Sequence, residues 1–361
     1  MAYTLEQLLG HVYLTGLIEN VKTGIPDVLP KEFGAIRKET IKDMGRYTRV
    51  AGTRRVAKRI EYGAATRKTE LKNIGTFDVK LATFGEHIQL DLETYMSLRA
   101  YDAYQVQNLG MQELDRQALQ FKTRFDNAEI AMLYSMLALG AIYFNAAGDL
   151  LPSSSGAALT INYSLSANHQ NQLNGIIGAS WATAGTDIIT DILQIRDQAL
   201  FDTGYELGCA FYGRNIPAYF AANTTMKEYL ARHQGFRDRL VQTNEIPDGL
   251  LGIDRWVRVS AAFFEDADGT NQTFFGGDTV VFTPPIDSSW FEWMDGEILV
   301  PSTINPMASL SAAANSFERK KKTAMWSLPT MNPVGAELHA KTVTLPILKF
   351  PDAIFVADVT P

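Results

Sequence analysis

"GTRRVAKRIEYGAATRKTELKN", residues 52–73, concentrates positive charge in a chain of 361 residues whose formal net charge is −7. Residues 46–72 hold nine lysines and arginines against Glu61 and Glu70, a local +7 that leaves the remainder at −14. The stretch carries one run of period two and leads into another. Val56, Ile60 and Tyr62 fall on one parity with Arg55, Arg59 and Glu61 on the other, and Phe77, Val79 and Leu81 alternate with Asp78 and Lys80. Successive side chains of a strand point to opposite faces, so both runs read as strands of one long hairpin. The fourteen residues between Tyr62 and Phe77, bracketed by Gly63 and Gly75, have too little apolar content to fold onto a core of their own. Such a segment needs a partner to offset its ordering cost, and that partner can be another copy. An acidic body with one basic arm favours docking of like molecules, arm to body.

Nucleic-acid binding is the competing reading of the same charge. A nucleic-acid reader interleaves exposed aromatics with its cations or offers a basic recognition helix. Between Arg54 and Lys72 the only aromatic is Tyr62. Electrostatics alone leaves nonspecific contact with DNA open.

Around the arm the pattern changes. Residues 1–45 combine a short amphipathic helix with "TGIPDVLPKEFG", whose prolines and glycines break regular structure. They carry no basic leader of a signal peptide. Gly85 in "ATFGEH" suggests a bulge, after which Ile88, Leu90 and Leu92 resume strand alternation. From about Thr94 to Leu139 the period becomes helical. Leu114, Ala118, Phe121, Phe125, Ala128 and Met132 line one face, with Asp115, Lys122, Asp126 and Glu129 off it. A nearly continuous helix over that span would be about 65–70 Å long. A coiled-coil seam would need sustained Leu or Ile, so a helix lying across a sheet is expected.

Next come a hairpin over 140–165 with the turn "PSSSG", and a helix over 186–204 with Thr186 as N-cap and Gly204 as stop. Strand "GCAFYG", helix "TTMKEYLARHQGFRDRLVQ" and strand "DRWVRVSAAFF" follow, and the tail from "DTVVFTPP" returns to strands. Mixed α/β architecture is the result. The apolar run "IAMLYSMLALGAIYF" is shorter than the ~17–25 residues of a membrane span, so no membrane association is expected.

Chemistry is sparse. Walker A, G-x-G-x-x-G and G-x-S-x-G sequences are absent, and His11, His87, His169, His233 and His339 lack local ligand spacing. The lone Cys209 excludes an intrachain disulfide and reads as a buried thiol. "EDADGTNQ" is half of a calcium loop without its closing glutamate and reads as a D-G turn. No catalytic residue, metal or cofactor is expected, and the chain reads as a non-enzyme.

This order of arm, extended hairpin, very long helix, α/β centre and closing strands resembles the major capsid proteins of tailed bacteriophages, the Hong Kong 97 type fold. Within that group "FGGDTVVFTPP", "KTVTLPILKFPDAIFVADV" and "GRNIPAYFAANTTMKEYLARHQ" are similar to the lambda major capsid protein E family. The resemblance implies an α+β capsid fold with an N-terminal arm over 1–45, an E-loop over 46–93 and a peripheral domain with spine helix and hairpin over 94–165. It further implies an axial domain over 166–275 and a return to the peripheral domain over 276–361. It implies self-assembly through pentamers and hexamers into an icosahedral shell enclosing double-stranded DNA, in the virion and, during assembly, in the host cytoplasm. Implied partners are other copies, a scaffolding protein, a portal and a decoration protein, with DNA held only by nonspecific enclosure. Inter-subunit contacts are expected from Arg54, Arg55, Lys58, Arg59, Arg67 and Lys68, with apolar support from Val56, Ile60 and Phe77. An encapsulin-type compartment shell and an unrecognised α/β enzyme are the other readings.

Overall fold

The computed structural model describes residues 5–21, 33–41, 43–50, 74–90, 92–99, 104–259, 263–265, 269–301, 317–331 and 334–360. Two short helices open the chain, α1 (Leu5–Leu8) and α2 (His11–Asn20). Strand β1 (Arg37–Glu39) precedes the ladder of β2 (Met44–Val50) and β3 (Ile74–Lys80), and β4 (Ala82–Gln89) follows after the single residue Leu81. The strand run expected over Val56–Tyr62 lies outside the described residues, and Phe77 and Val79 of the other run pair with Tyr47 and Gly45. Gly85 makes no bulge. It pairs with Lys341 inside an unbroken register, because nothing on the facing strand crowds it. Leu92 belongs not to that strand but to helix α3 (Leu92–Arg99), where it is exposed.

The long helix is α4 (Tyr104–Leu139), 36 residues or about 54 Å, with α3 as a separate helix before it. The expected stripe is real: Leu114, Ala118, Phe121, Phe125 and Met132 are buried. Glu129 is buried too, contrary to its expected solvent position. Gly140 ends the helix at φ +62, where its amide bonds Met136 O, and any side chain there would also strike Leu165. A three-stranded sheet follows, with β5 (Ala141–Phe144) between β6 (Leu150–Leu151) and β7 (Leu159–Asn162).

After the short α5 (Asn171–Asn174) comes α6 (Ile188–Thr203). Its N-cap is Asp187 rather than Thr186, since the carboxylate of Asp187 accepts the Thr190 amide at 3.2 Å. Ile188, Ile192, Ile195 and Ala199 form the buried face, and Gly204 closes the helix at φ +79. Strand β8 (Cys209–Tyr212) leads to α7 (Ile216–Ala222). The next expected helix is two, α8 (Thr224–Arg232) and α9 (Gln234–Thr243), broken at His233. Then come β9 (Arg255–Arg258), the hairpin of β10 (Phe263–Glu265) and β11 (Asn271–Thr273), and β12 (Thr279–Thr283). The closing segment holds β13 (Phe291–Asp295), β14 (Glu297–Pro301), β15 (Phe317–Lys321), β16 (Thr323–Met331), β17 (Val334–Leu348) and β18 (Phe355–Asp358).

Two larger sheets organise these elements. In one, β1 pairs β13, β13 pairs β17, and β17 pairs both β16 and β4. In the other the order is β18-β12-β8-β9, so the closing segment supplies strands to both sheets. One apolar cluster is shared by both sheets, joining Phe211 and Val281 of the second to Phe291, Trp293 and Leu345 of the first and to Leu133 and Leu137 of α4, and each sheet has a further cluster of its own. Leu114, Ala118, Phe121 and Phe125 of α4 pack with Met325, Leu338 and Ala340 under the first. Trp181, Ile192, Ile195, Phe220, Trp256 and Phe282 fill the second. At roughly 1.5–3 kcal/mol for each large apolar side chain fully buried, these clusters are the principal source of stability.

Candidate assembly interface

The root of the basic arm is the β2–β3 ladder, which runs antiparallel from Met44↔Lys80 to Val50↔Ile74. Arg46 donates through Nε and Nη2 to both oxygens of Asp78, at 2.7 and 3.0 Å. That hydrogen bond holds the Asp78 carboxyl below the ordinary carboxylate range. Tyr47 stacks on Phe77 with ring centroids 5.7 Å apart. Phe77, the described member of the expected contact set, remains 43% exposed on the root. Arg54, Arg55, Val56, Lys58, Arg59, Ile60, Arg67 and Lys68 lie outside the described residues.

Below the root, a buried charge cluster ties four parts of the chain together. Arg37 of β1 donates to Glu129 of α4 at 2.7 Å and to Asp295 of β13 at 2.9 Å, and its guanidinium lies 5.1 Å from the Trp293 ring centroid. Lys322, between β15 and β16, reaches the other Glu129 oxygen at 3.2 Å. Thr344 of β17 donates to Asp295 at 2.7 Å. Burial pushes the Glu129 carboxyl up, but Lys322 and Arg37 outweigh it and hold the group below its usual value. Sequence reading missed this site. Its signal was present, because Glu129 follows Phe125 by four residues and therefore belongs to the edge of the buried stripe.

On the opposite face of the first sheet the register places His87 beside His339 and His339 beside Trp326. The two imidazoles stack at 5.4 Å, and His339 stacks on Trp326 at 5.7 Å. Burial, and then the neighbouring His87, pushes the His339 imidazole below its ordinary value against the opposing pull of Glu337. Histidines 252 residues apart in sequence meet only through strand pairing, which no local spacing announces.

Among the described residues no group of three or more His, Cys, Asp or Glu side chains is placed to hold a metal. No described helix is long and apolar enough to cross a membrane. Cys209 is buried, in agreement with the sequence reading. The surface instead offers contacts: Leu193, Leu200 and Phe201 stand exposed on the outer side of α6, at 45%, 38% and 72%.

The family model of phage major capsid protein E matches residues 46–359. The chain belongs to that family. The Hong Kong 97 type fold and the capsid role that the sequence suggested are both borne out, and this capsid subunit is a shell-building protein of phage virions. No curated protein matches it. Among solved structures, it is similar to the protein assigned as the capsid protein of a prophage in E. coli CFT073, at 13% identity and TM-score 0.50 over 100% of both chains. A phage-related protein of Bordetella bronchiseptica RB50 matches at 10% identity and TM-score 0.48 over 97% of each chain. A protein of Gordonia phage Cozz matches at 13% identity and TM-score 0.45, over 94% of this chain and 91% of that one.

Proposed function

We propose that this capsid subunit assembles as pentamers and hexamers into the icosahedral shell around the double-stranded DNA of a tailed phage, and that residues 52–73 are the arm by which one copy holds the next. The observation that carries the reading is charge segregation: a local +7 over residues 46–72 against −14 for the rest of the chain. Residues 1–45 serve as the N-terminal arm, 46–93 as the E-loop, 94–165 with 276–361 as the peripheral part, and 166–275 as the axial part. In that division β12 and β18 extend the axial sheet while the rest of the closing segment belongs with the spine helix.

Shell formation then follows from many weak contacts. One exposed ion pair contributes only about 0.2–1 kcal/mol. Repeated around closed rings, such terms sum and favour symmetric assembly, while a misplaced subunit can still leave. The exposed Leu193, Leu200 and Phe201 on α6 supply apolar contact between axial parts of neighbouring copies. An acidic remainder suits a wall that encloses DNA without adsorbing it. A separate scaffolding protein, a portal and a decoration protein complete the particle, which forms in the host cytoplasm. Sedimentation and electron microscopy of the purified protein test the reading: DNA-filled or DNA-competent shells support it, a cargo-protein compartment points to an encapsulin, and a small oligomer under all conditions contradicts it.

A further inference from the structure

Strand β16 has an edge that a helix closes where a further strand would fit. The Leu90 amide bonds Ala336 O, so antiparallel alternation turns the even residues of β17 from Ala336 to Thr342 toward β4 and the odd ones toward β16. Glu337, His339 and Lys341 pair with Leu328, Trp326 and Ala324. The backbone groups of Thr323, Met325, Ser327 and Pro329 therefore point away from the sheet.

Helix α2 lies on that edge. Thr15 Oγ1 donates to Met325 O at 3.1 Å and accepts from Met325 N at 3.2 Å, so one hydroxyl satisfies both outward groups of that residue. Ser327 Oγ donates to Leu9 O at 2.9 Å. Leu14, Thr15 and Ile18 are buried in the contact. Ten residues of helix span about 15 Å and five residues of strand about 17 Å, so α2 matches the length of residues 323–327.

The cover is weak by itself. Its ten residues are fewer than the ~12–15 that an isolated helix requires. Gly10 supplies no side-chain cap, and Gly16 sits inside the helix although open space stands where its Cβ would be. Helix α2 therefore persists only while docked.

Beneath it the edge is self-complementary. Lys322, at φ +61, turns the chain at one end, and Pro329 supplies no amide at the other. Two copies of residues 323–327, laid antiparallel about Met325 opposite Met325, place Thr323 of each against Ser327 of the other. Every outward amide in that window then meets a carbonyl. A register shifted to bring Pro329 against the window would lose bonds.

We propose that the β16 edge is a second interaction surface, that its partner is β16 of another copy in an antiparallel pair centred on Met325, and that α2 is the removable cover that keeps free subunits from joining this way. Unprotected edges pair with other chains, and a self-complementary one closes as a two-fold dimer. The inference concerns the subunit before it assembles and does not depend on the arm.

Hydrogen exchange and sedimentation of the full-length subunit, kept below the concentration at which shells form, test it. Thr15→Val keeps the shape and removes the hydroxyl, so exchange of the Met325 amide is expected to quicken about tenfold or more, with Thr15→Ser near the wild type. Unchanged exchange in Thr15→Val would overturn the cover. Leu14→Asp with Ile18→Asp is expected to release α2 and give dimers where the wild type is monomeric. Ser327→Pro removes an outward amide that β17 does not use, as Pro329 already does, so adding it to the released variant is expected to return monomers. Dimers that survive Ser327→Pro would show association through the bared apolar face and contradict the strand pairing. A released variant that stays monomeric while Met325 exchanges freely would contradict it too. Should the double aspartate variant not fold, the dimer fraction of Thr15→Val with and without Ser327→Pro makes the same comparison, and equal fractions would overturn the proposal.

Discussion

Arg37 Nη2 and Glu129 Oε2 meet at 2.7 Å with the Glu129 side chain only 10% exposed, which fixes the strand leading into the arm to the long helix. Taking charges out of water is costly, so the pair is secure only while its partners are present. Arg37→Ala would leave Asp295 and half of Glu129 without their cation. We expect a loss of about 3 kcal/mol, toward the lower end of the 3–5 kcal/mol range because Lys322 remains. Chemical denaturation of the unassembled subunit measures it, and an unchanged midpoint would contradict the buried role.

Acid should weaken the subunit in two stages. His339 has a lowered folded value relative to 6.5, so as pH falls below about 6.5 the unfolded chain binds a proton that the folded sheet resists. Folding stability therefore declines first in that window, and His339→Gln should flatten it. Glu129 has a lowered folded value relative to 4.5, so its contribution is present above that pH and is lost as pH falls through the folded value. Thermal melting at stepped pH checks both signs; a stability that rises between pH 6.5 and 5 through His339 would reverse the first.

Gly213 approaches the opposite chain so closely that a Cβ would lie 2.3 Å from Gly276 O and 2.4 Å from Gly277 O. Both obstacles are backbone, so relief requires moving the turn between β11 and β12. Gly213→Ala is expected to cost about 1–3 kcal/mol or more. Gly16, with open space where its Cβ would stand, is the control. Equal melting temperatures for the two alanine variants would contradict this reading.

Much of this architecture was legible from periodicity. The stripe from Leu114 to Met132 announced α4, and Ile188, Ile192, Ile195 and Ala199 announced α6, because a buried helical face must repeat near 3.6 residues. Strand partners were less accessible. Nothing local in "RYTRV" says that it pairs with "IGTFD", or that Phe355–Asp358 crosses back to β12, since such pairings are set by long-range packing. Caps and breaks erred by single residues: Asp187 displaced Thr186 because its carboxylate reaches Thr190 N. The buried charge cluster was the real omission. Arg37, Glu129, Asp295 and Lys322 each look like surface residues until the fold brings them together.

The exposed side of α6 gives a prediction about ring closure. Leu193→Asp with Phe201→Asp leaves the buried face of Ile192, Ile195 and Ala199 untouched, so the subunit should fold with near-normal stability. Shell yield should fall, with subunits or small fragments accumulating in sedimentation profiles. Normal shells from that variant would show that this face is not a contact between copies.

The most direct test concerns the arm. Arg54, Arg55, Lys58 and Arg59 changed together to glutamine should leave a subunit that unfolds cooperatively near the wild-type midpoint and forms no shells by electron microscopy, whereas the wild-type protein forms them. Normal shells from the fourfold variant would contradict the claim that the basic arm holds neighbouring copies together.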